Sequence, residues 1–78
     1  MKRPFQIRKI TNYSNYLTFW LDGNLDCKDK TVNYITVYNK APFNGYKVRD
    51  DIVIDTATVA GHPQGAVFGE ETISKSSF

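Results

Sequence analysis

Cys27, His62 and the carboxylates Asp50, Asp51 and Asp55 are the side chains of this 78-residue chain whose types suit nucleophilic, acid–base or metal chemistry. None has the company such chemistry needs. A thiol becomes a nucleophile when a neighbouring base or cation lowers its pKa, whereas Cys27 stands in a mixed-charge stretch with no histidine near it in sequence. Cys27 and His62 are the single cysteine and the single histidine, far from the clustered spacing of metal ligands, so neither a metal nor a cofactor is expected. One cysteine also leaves no internal disulfide. Asp51 and Asp55 share strand parity with Val53, and paired carboxylates can move protons, but two acids on a strand are more often ordinary solvated residues. Neither a phosphate-binding Gly-Lys loop nor a nucleophile elbow occurs. The expectation is therefore a non-catalytic binding protein, not an enzyme.

Flat rings and cations are the chemistry the sequence does supply. If residues 16–21 and 31–39 are strands of one sheet, alternation puts Leu17, Phe19, Leu21, Ile35 and Val37 on one face, suited to a core. Tyr16, Trp20, Tyr34 and Tyr38 fall on the other, with two threonines. Tyr and Trp join a large apolar body to a polar tip, so such a face can stay wet and still stack on a planar partner such as a nucleobase. The cations follow the same half. Residues 1–49 carry nine Lys or Arg against three acids, and residues 50–78 carry one against five. Arg8, Lys9, Lys40, Lys47 and Arg49 flank the predicted strands and turns and are the expected phosphate contacts.

The elements that must position these residues read as β throughout. Strands are expected at residues 5–11 and 15–21, as a hairpin, with Asp22-Gly23-Asn24 breaking the second and opening an exposed loop. A third strand follows at residues 31–39, then a loop over residues 40–45, since Pro42 cannot donate to a central ladder and Asn-Gly is a strong turn pair. Residues 46–49 and 52–60 are rich in β-branched side chains and read as strand. The turn at residues 61–65 leads to a short strand at 66–68, with a further one at 72–73. One domain spans residues 1–78, with residues 1–4 and 74–78 as flexible ends. Short strands at this spacing predict an all-β fold, a small five- or six-stranded antiparallel barrel of OB-like or SH3-like type. So small a core leaves oligomerisation, a homodimer at its simplest, as a natural support.

In Gly45-Tyr-Lys-Val-Arg-Asp-Asp-Ile-Val-Ile-Asp55 a Gly/Lys turn leads into a β-branched strand, with Trp20 in an early strand and a long strand at residues 31–39 between them. This order resembles the single-stranded DNA-binding proteins of the OB class over residues 15–60. The resemblance implies coating of single strands, Tyr16, Trp20, Tyr34 and Tyr38 stacking on bases while the basic side chains meet phosphate. The alternative is a protein-binding module or small inhibitor, of viral or mobile-element origin, using the same Tyr/Trp face as an interface. No apolar run reaches membrane-helix length and the start lacks a secretory h-region, so the expected compartment is the cytoplasm, of the host if the protein is viral.

Overall fold

The computed structural model describes residues 1–76. Its elements in chain order are strands β1 (Lys2–Asn12), β2 (Tyr16–Asp26) and β3 (Thr31–Tyr38), a 3₁₀ turn (Phe43–Gly45), strand β4 (Asp51–Asp55), helix α1 (Thr56–Ala60), and strands β5 (Val67–Phe68) and β6 (Ile73–Lys75). They form one six-stranded sheet in the order β5-β3-β2-β1-β4-β6, curled into a half-barrel. The all-β, barrel-like fold expected from the strand spacing is present. Its pairing departs from the expected antiparallel pattern at one place, because β5 runs parallel to β3. After β4 the chain crosses over the sheet, with α1 packed on β1 and β2, and reaches the far edge already pointing along β3. The two edge strands are not hydrogen-bonded to each other, and both are very short.

β1 serves two partners in turn. Residues 2–6 pair with β4 and residues 7–12 with β2. Pro4 is accommodated because its part of β1 is bonded on one side alone. At the change of partner the register slips between Ile7 and Lys9, which makes Arg8 the extra residue of a bulge. Ile7 is wholly buried there, its N–H donated to the Asp50 carbonyl at 3.0 Å and its carbonyl accepting from Arg49 N–H at 2.7 Å.

The core lies on the concave side and contains Phe5, Ile7, Leu17, Phe19, Leu21, Ile35, Val37, Ile52, Ile54 and Ile73 from the sheet, with Phe43, Tyr46 and Val59 above it. Phe19 and Tyr46 stack with ring centroids 5.5 Å apart and 11° between planes. Tyr46 is thus a core residue within a loop, and residues 46–49 are not the strand that their β-branched content suggested. The reason is local: Lys47 N–H donates to Asp50 Oδ2 at 2.8 Å and Asp50 N–H to the Lys47 carbonyl at 3.0 Å, which closes a turn in place of a ladder.

Four further expectations are corrected. β2 does not break at Asp22-Gly23-Asn24 but runs on to Asp26, with a register slip against β3 between Trp20 and Leu25. A Cβ on Gly23 would stand 3.0 Å from Phe5 Cε1, so glycine lets that ring lie across β2. The strand expected over residues 52–60 ends at Asp55, whose carboxylate accepts the Ala57 N–H at 3.2 Å and caps α1. Lys2, Arg3 and Pro4 are strand residues rather than a free arm, and Met1 accepts the Thr56 N–H at 2.8 Å. Ser74 and Lys75 belong to β6, whereas residues 77 and 78 of the expected mobile end lie outside the described residues.

Asp50 also binds β6 to this turn through Lys75 Nζ at 3.1 Å. Its carboxyl is held below the ordinary aspartate value, chiefly by the Lys47 N–H and, against a desolvation cost, by Lys75. A carboxylate with a lowered folded pKa stabilises fully above its unfolded pKa and loses that contribution as pH falls through the folded one. Asp50→Asn is therefore expected to reduce stability at pH 7 by up to about 1 kcal/mol, the pair being partly exposed and screened. The difference from wild type should close as pH drops below 3.8. Urea midpoints measured from pH 7 down to acid check this; a gap that persisted in acid would assign the effect to packing instead.

Candidate nucleic-acid interface

The outer face of β1, β2 and β3 carries its side chains in rows set by the strand register. Lys9, Trp20 and Tyr34 form one row, Thr11, Thr18 and Thr36 the next with Val67 of β5, and Tyr16 and Tyr38 the last. The sequence-predicted aromatic set is therefore brought together, on the face opposite Leu17, Phe19, Leu21, Ile35 and Val37, all of them buried. Parity fails at Val32, placed by alternation with Tyr34 but buried against Leu25, because the slip in β2 changes its partner.

The rings differ in how firmly they are held. Trp20 and Tyr34 are half-buried, their centroids 5.2 Å apart, with Trp20 Nε1 donating to Thr11 Oγ1 at 3.1 Å and the Tyr34 hydroxyl donating to Gln64 Oε1. Gln64 is itself placed by its N–H on Asp29 Oδ1 at 2.9 Å, so the 61–65 turn clasps the end of this row. Tyr16 and Tyr38 are 41% and 44% exposed and 6.2 Å apart, open rings rather than packed ones. Thr11 and Gln64 were not singled out from sequence. Thr11 was findable by its parity with Lys9, while nothing local marks Gln64 as a partner of Tyr34.

Of the cations, Lys9 pairs across from Trp20, and Lys40 Nζ lies 5.4 Å from the Tyr38 ring centroid in a cation–π contact. The bulge turns both Arg8 and Lys9 away from the core, which strict alternation would not allow. Arg8 joins Trp20, Leu21, Asp22, Gly23, Asn24 and Asn33 in lining an open groove of ≈ 420 Å³. Arg49 and Lys47 sit elsewhere, in the loop on the β4 edge of β1, so the structure divides the five predicted phosphate contacts between the aromatic face and the sheet corner. No residue in the three rows is acidic.

Several of the side chains first considered for catalysis make structural contacts. His62 Nδ1 lies 2.8 Å from the Thr58 carbonyl and its ring meets Phe68 edge-on at 5.4 Å. Cys27 packs beside the core, and burial, then Asp29 and Asp26, push its thiol up and away from thiolate. Asp55 caps α1 and accepts from the N-terminal amine at 3.5 Å. Among the described residues, no three His, Cys, Asp or Glu side chains gather to hold a metal, and no helix is long and apolar enough to cross a membrane.

Fold and face together define an all-β half-barrel with an aromatic and basic outer surface. Comparison with protein families, characterised proteins and solved structures gives no match.

The Tyr34–Gln64 contact is the joint between the turn and the face. Gln64→Ala is expected to cost roughly 0.5–1.5 kcal/mol, the net value of a partly buried hydrogen bond, and to loosen Tyr34 relative to Trp20. Chemical denaturation together with Tyr34 ring resonances tests it; an unchanged midpoint and unchanged resonances would leave Trp20 alone as the support of that ring.

Proposed function

We propose that this protein binds single-stranded nucleic acid on the outer face of β1, β2 and β3. One observation carries the reading: Lys9–Trp20–Tyr34 and Tyr16–Tyr38–Lys40 set paired rings beside cations on a surface whose rows hold no carboxylate. The outer tyrosines offer exposed ring surface for a base, and the inner pair is already oriented by Thr11 and Gln64, which lowers the entropy cost of ordering a binding surface. Stacking accepts any base, and Arg8, Lys9 and Lys40 supply charge along the path of a backbone. Neither step requires a covalent change, so the function proposed is retention of a strand rather than reaction with it.

A protein partner on the same surface is the second reading. It is favoured by the half-buried state of Trp20 and Tyr34, since locked, well-packed aromatics are the residues on which interface energy concentrates. Salt separates the two readings. Phosphate binding releases counterions, with a slope near −0.7 per contact on single strands, whereas apolar burial responds weakly.

Trp20 is the single tryptophan and reports directly on the face. Titration with an unstructured oligothymidylate is expected to quench its emission saturably, with affinity falling steeply as salt rises. Tyr38→Ala should weaken binding by roughly 1–3 kcal/mol while leaving the fold intact. Absence of quenching by the folded protein at low salt would discard the nucleic-acid reading and leave the protein interface.

A further inference from the structure

The corner of the sheet, where β1 changes partners, holds a second feature. Arg49 has φ 79°, a left-handed conformation that is strained for any residue with a Cβ. Its N–H donates to the Ile7 carbonyl at 2.7 Å, its carbonyl accepts from Gln6 Nε2 at 3.4 Å, and the Lys47–Asp50 turn closes around it. Strain kept in place by this many bonds, where glycine would sit without any, points to a use for the side chain. Arg8 is the extra residue of the adjoining bulge. Arg8 and Arg49, with Gln6, Ile7 and Val48, line a hollow of ≈ 400 Å³, and among the described residues neither guanidinium is in an ion pair.

Arg8 and Arg49 both line this hollow, so an anion there would meet two positive side chains. Their planar forks match the paired oxygens of a phosphate better than a point charge does. Arg8 is also a wall of the groove that contains Trp20 and Asn33, so the hollow and the groove adjoin through one side chain. Asp22 lines that groove as well, but its carboxylate already accepts the Gln6 N–H at 3.0 Å.

We infer that the Arg8–Arg49 hollow is a phosphate-binding site, which takes the backbone phosphate next to a base stacked on Trp20. The strand then leaves the aromatic face by crossing β1 at its bulge, with Lys40 marking the opposite end of the path. The identity of the ligand rests on the nucleic-acid reading; the anion site rests on the corner geometry alone.

Arg49→Gly is the informative variant, because glycine removes the guanidinium and takes the same φ unstrained, so the protein should fold at least as stably. Two probes are used on the full chain. Sodium pyrophosphate should shift the Arg8 and Arg49 side-chain N–H resonances saturably in the wild type, and the Arg8 shift should vanish in the variant. An oligothymidylate of about ten nucleotides should quench Trp20 in both. In the variant it should bind roughly fivefold more weakly at 0.1 M salt, with the salt slope smaller by about 0.7, the loss of one single-strand phosphate contact. Pyrophosphate shifts without any Trp20 quenching would uphold the anion site and overturn the nucleic-acid reading. Quenching with identical affinity and slope in wild type and variant, and no pyrophosphate shift, would overturn the site and leave the aromatic face standing. Silence of both probes would overturn both.

Discussion

β1 cannot satisfy both its neighbours with one straight ladder. Its first half is bonded to β4 and its second to β2, and the change of partner falls on Ile7, which is wholly buried and bonded through both backbone groups to Asp50 and Arg49. A buried peptide group without a partner costs about 1–3 kcal/mol, more than a typical hydrogen bond contributes net. The 49–50 segment must therefore come to Ile7, and the extra residue of the slip must go outward. Arg8 and Lys9 consequently both leave the core side, Arg49 is drawn into a left-handed conformation, and the half-barrel turns its corner. The basic end of the outer face is a consequence of how the sheet bends.

The aromatic rows follow from the core in a similar way. A slip of one residue in β2 would expose Leu17, Phe19 and Leu21 and bury Tyr16 and Trp20. Each of those apolar side chains gains roughly 1.5–3 kcal/mol from burial, which far exceeds a tilted ring pair on an open surface at about 0.5–1.5 kcal/mol. The core therefore sets the register, and the face is carried along with it. Tyr16 and Tyr38, partly exposed, contribute less to setting the register than the buried apolar residues opposite them.

What was legible in sequence was what parity alone decides. Residues 16–21 and 34–38 alternate in side-chain type, and both faces could be read from them, although Thr18 of the outer face is itself buried. Parity lost its hold wherever a distant residue intervened. Gly23 lies within β2 and leaves room for the Phe5 ring rather than making a turn, and Phe5 is far away in the chain. Tyr46 looked like a strand residue because its stacking partner, Phe19, cannot be known before the fold is. The helix after β4 did have a local sign, an aspartate before Thr-Ala-Thr, but a β-branched run outweighed it. The split of the basic residues between face and corner was not readable, since it depends on the Arg8 bulge and on the turn closed by Asp50.

The charge asymmetry of the chain is sharpened by the fold. Five of the eight acidic side chains are spent on backbone and neighbours: Asp22 on Gln6, Asp26 on Thr31, Asp29 on Gln64, Asp50 on Lys47 and Lys75, Asp55 on Ala57 and the N-terminus. Among the described residues Lys75 is the only lysine or arginine in an ion pair. A carboxylate tied to a backbone N–H keeps its charge but loses its freedom to swing toward a cation, and at physiological salt its field is largely screened beyond about 8 Å. The charges nearest to Lys9, Trp20 and Tyr34, with Arg8 and Asp22 both in the groove beside Trp20, therefore matter more to that face than the small net charge of the whole chain. An anionic ligand approaching that face meets cations whose carboxylate partners have been committed elsewhere by the same hydrogen bonds that close the turns and cap the helix.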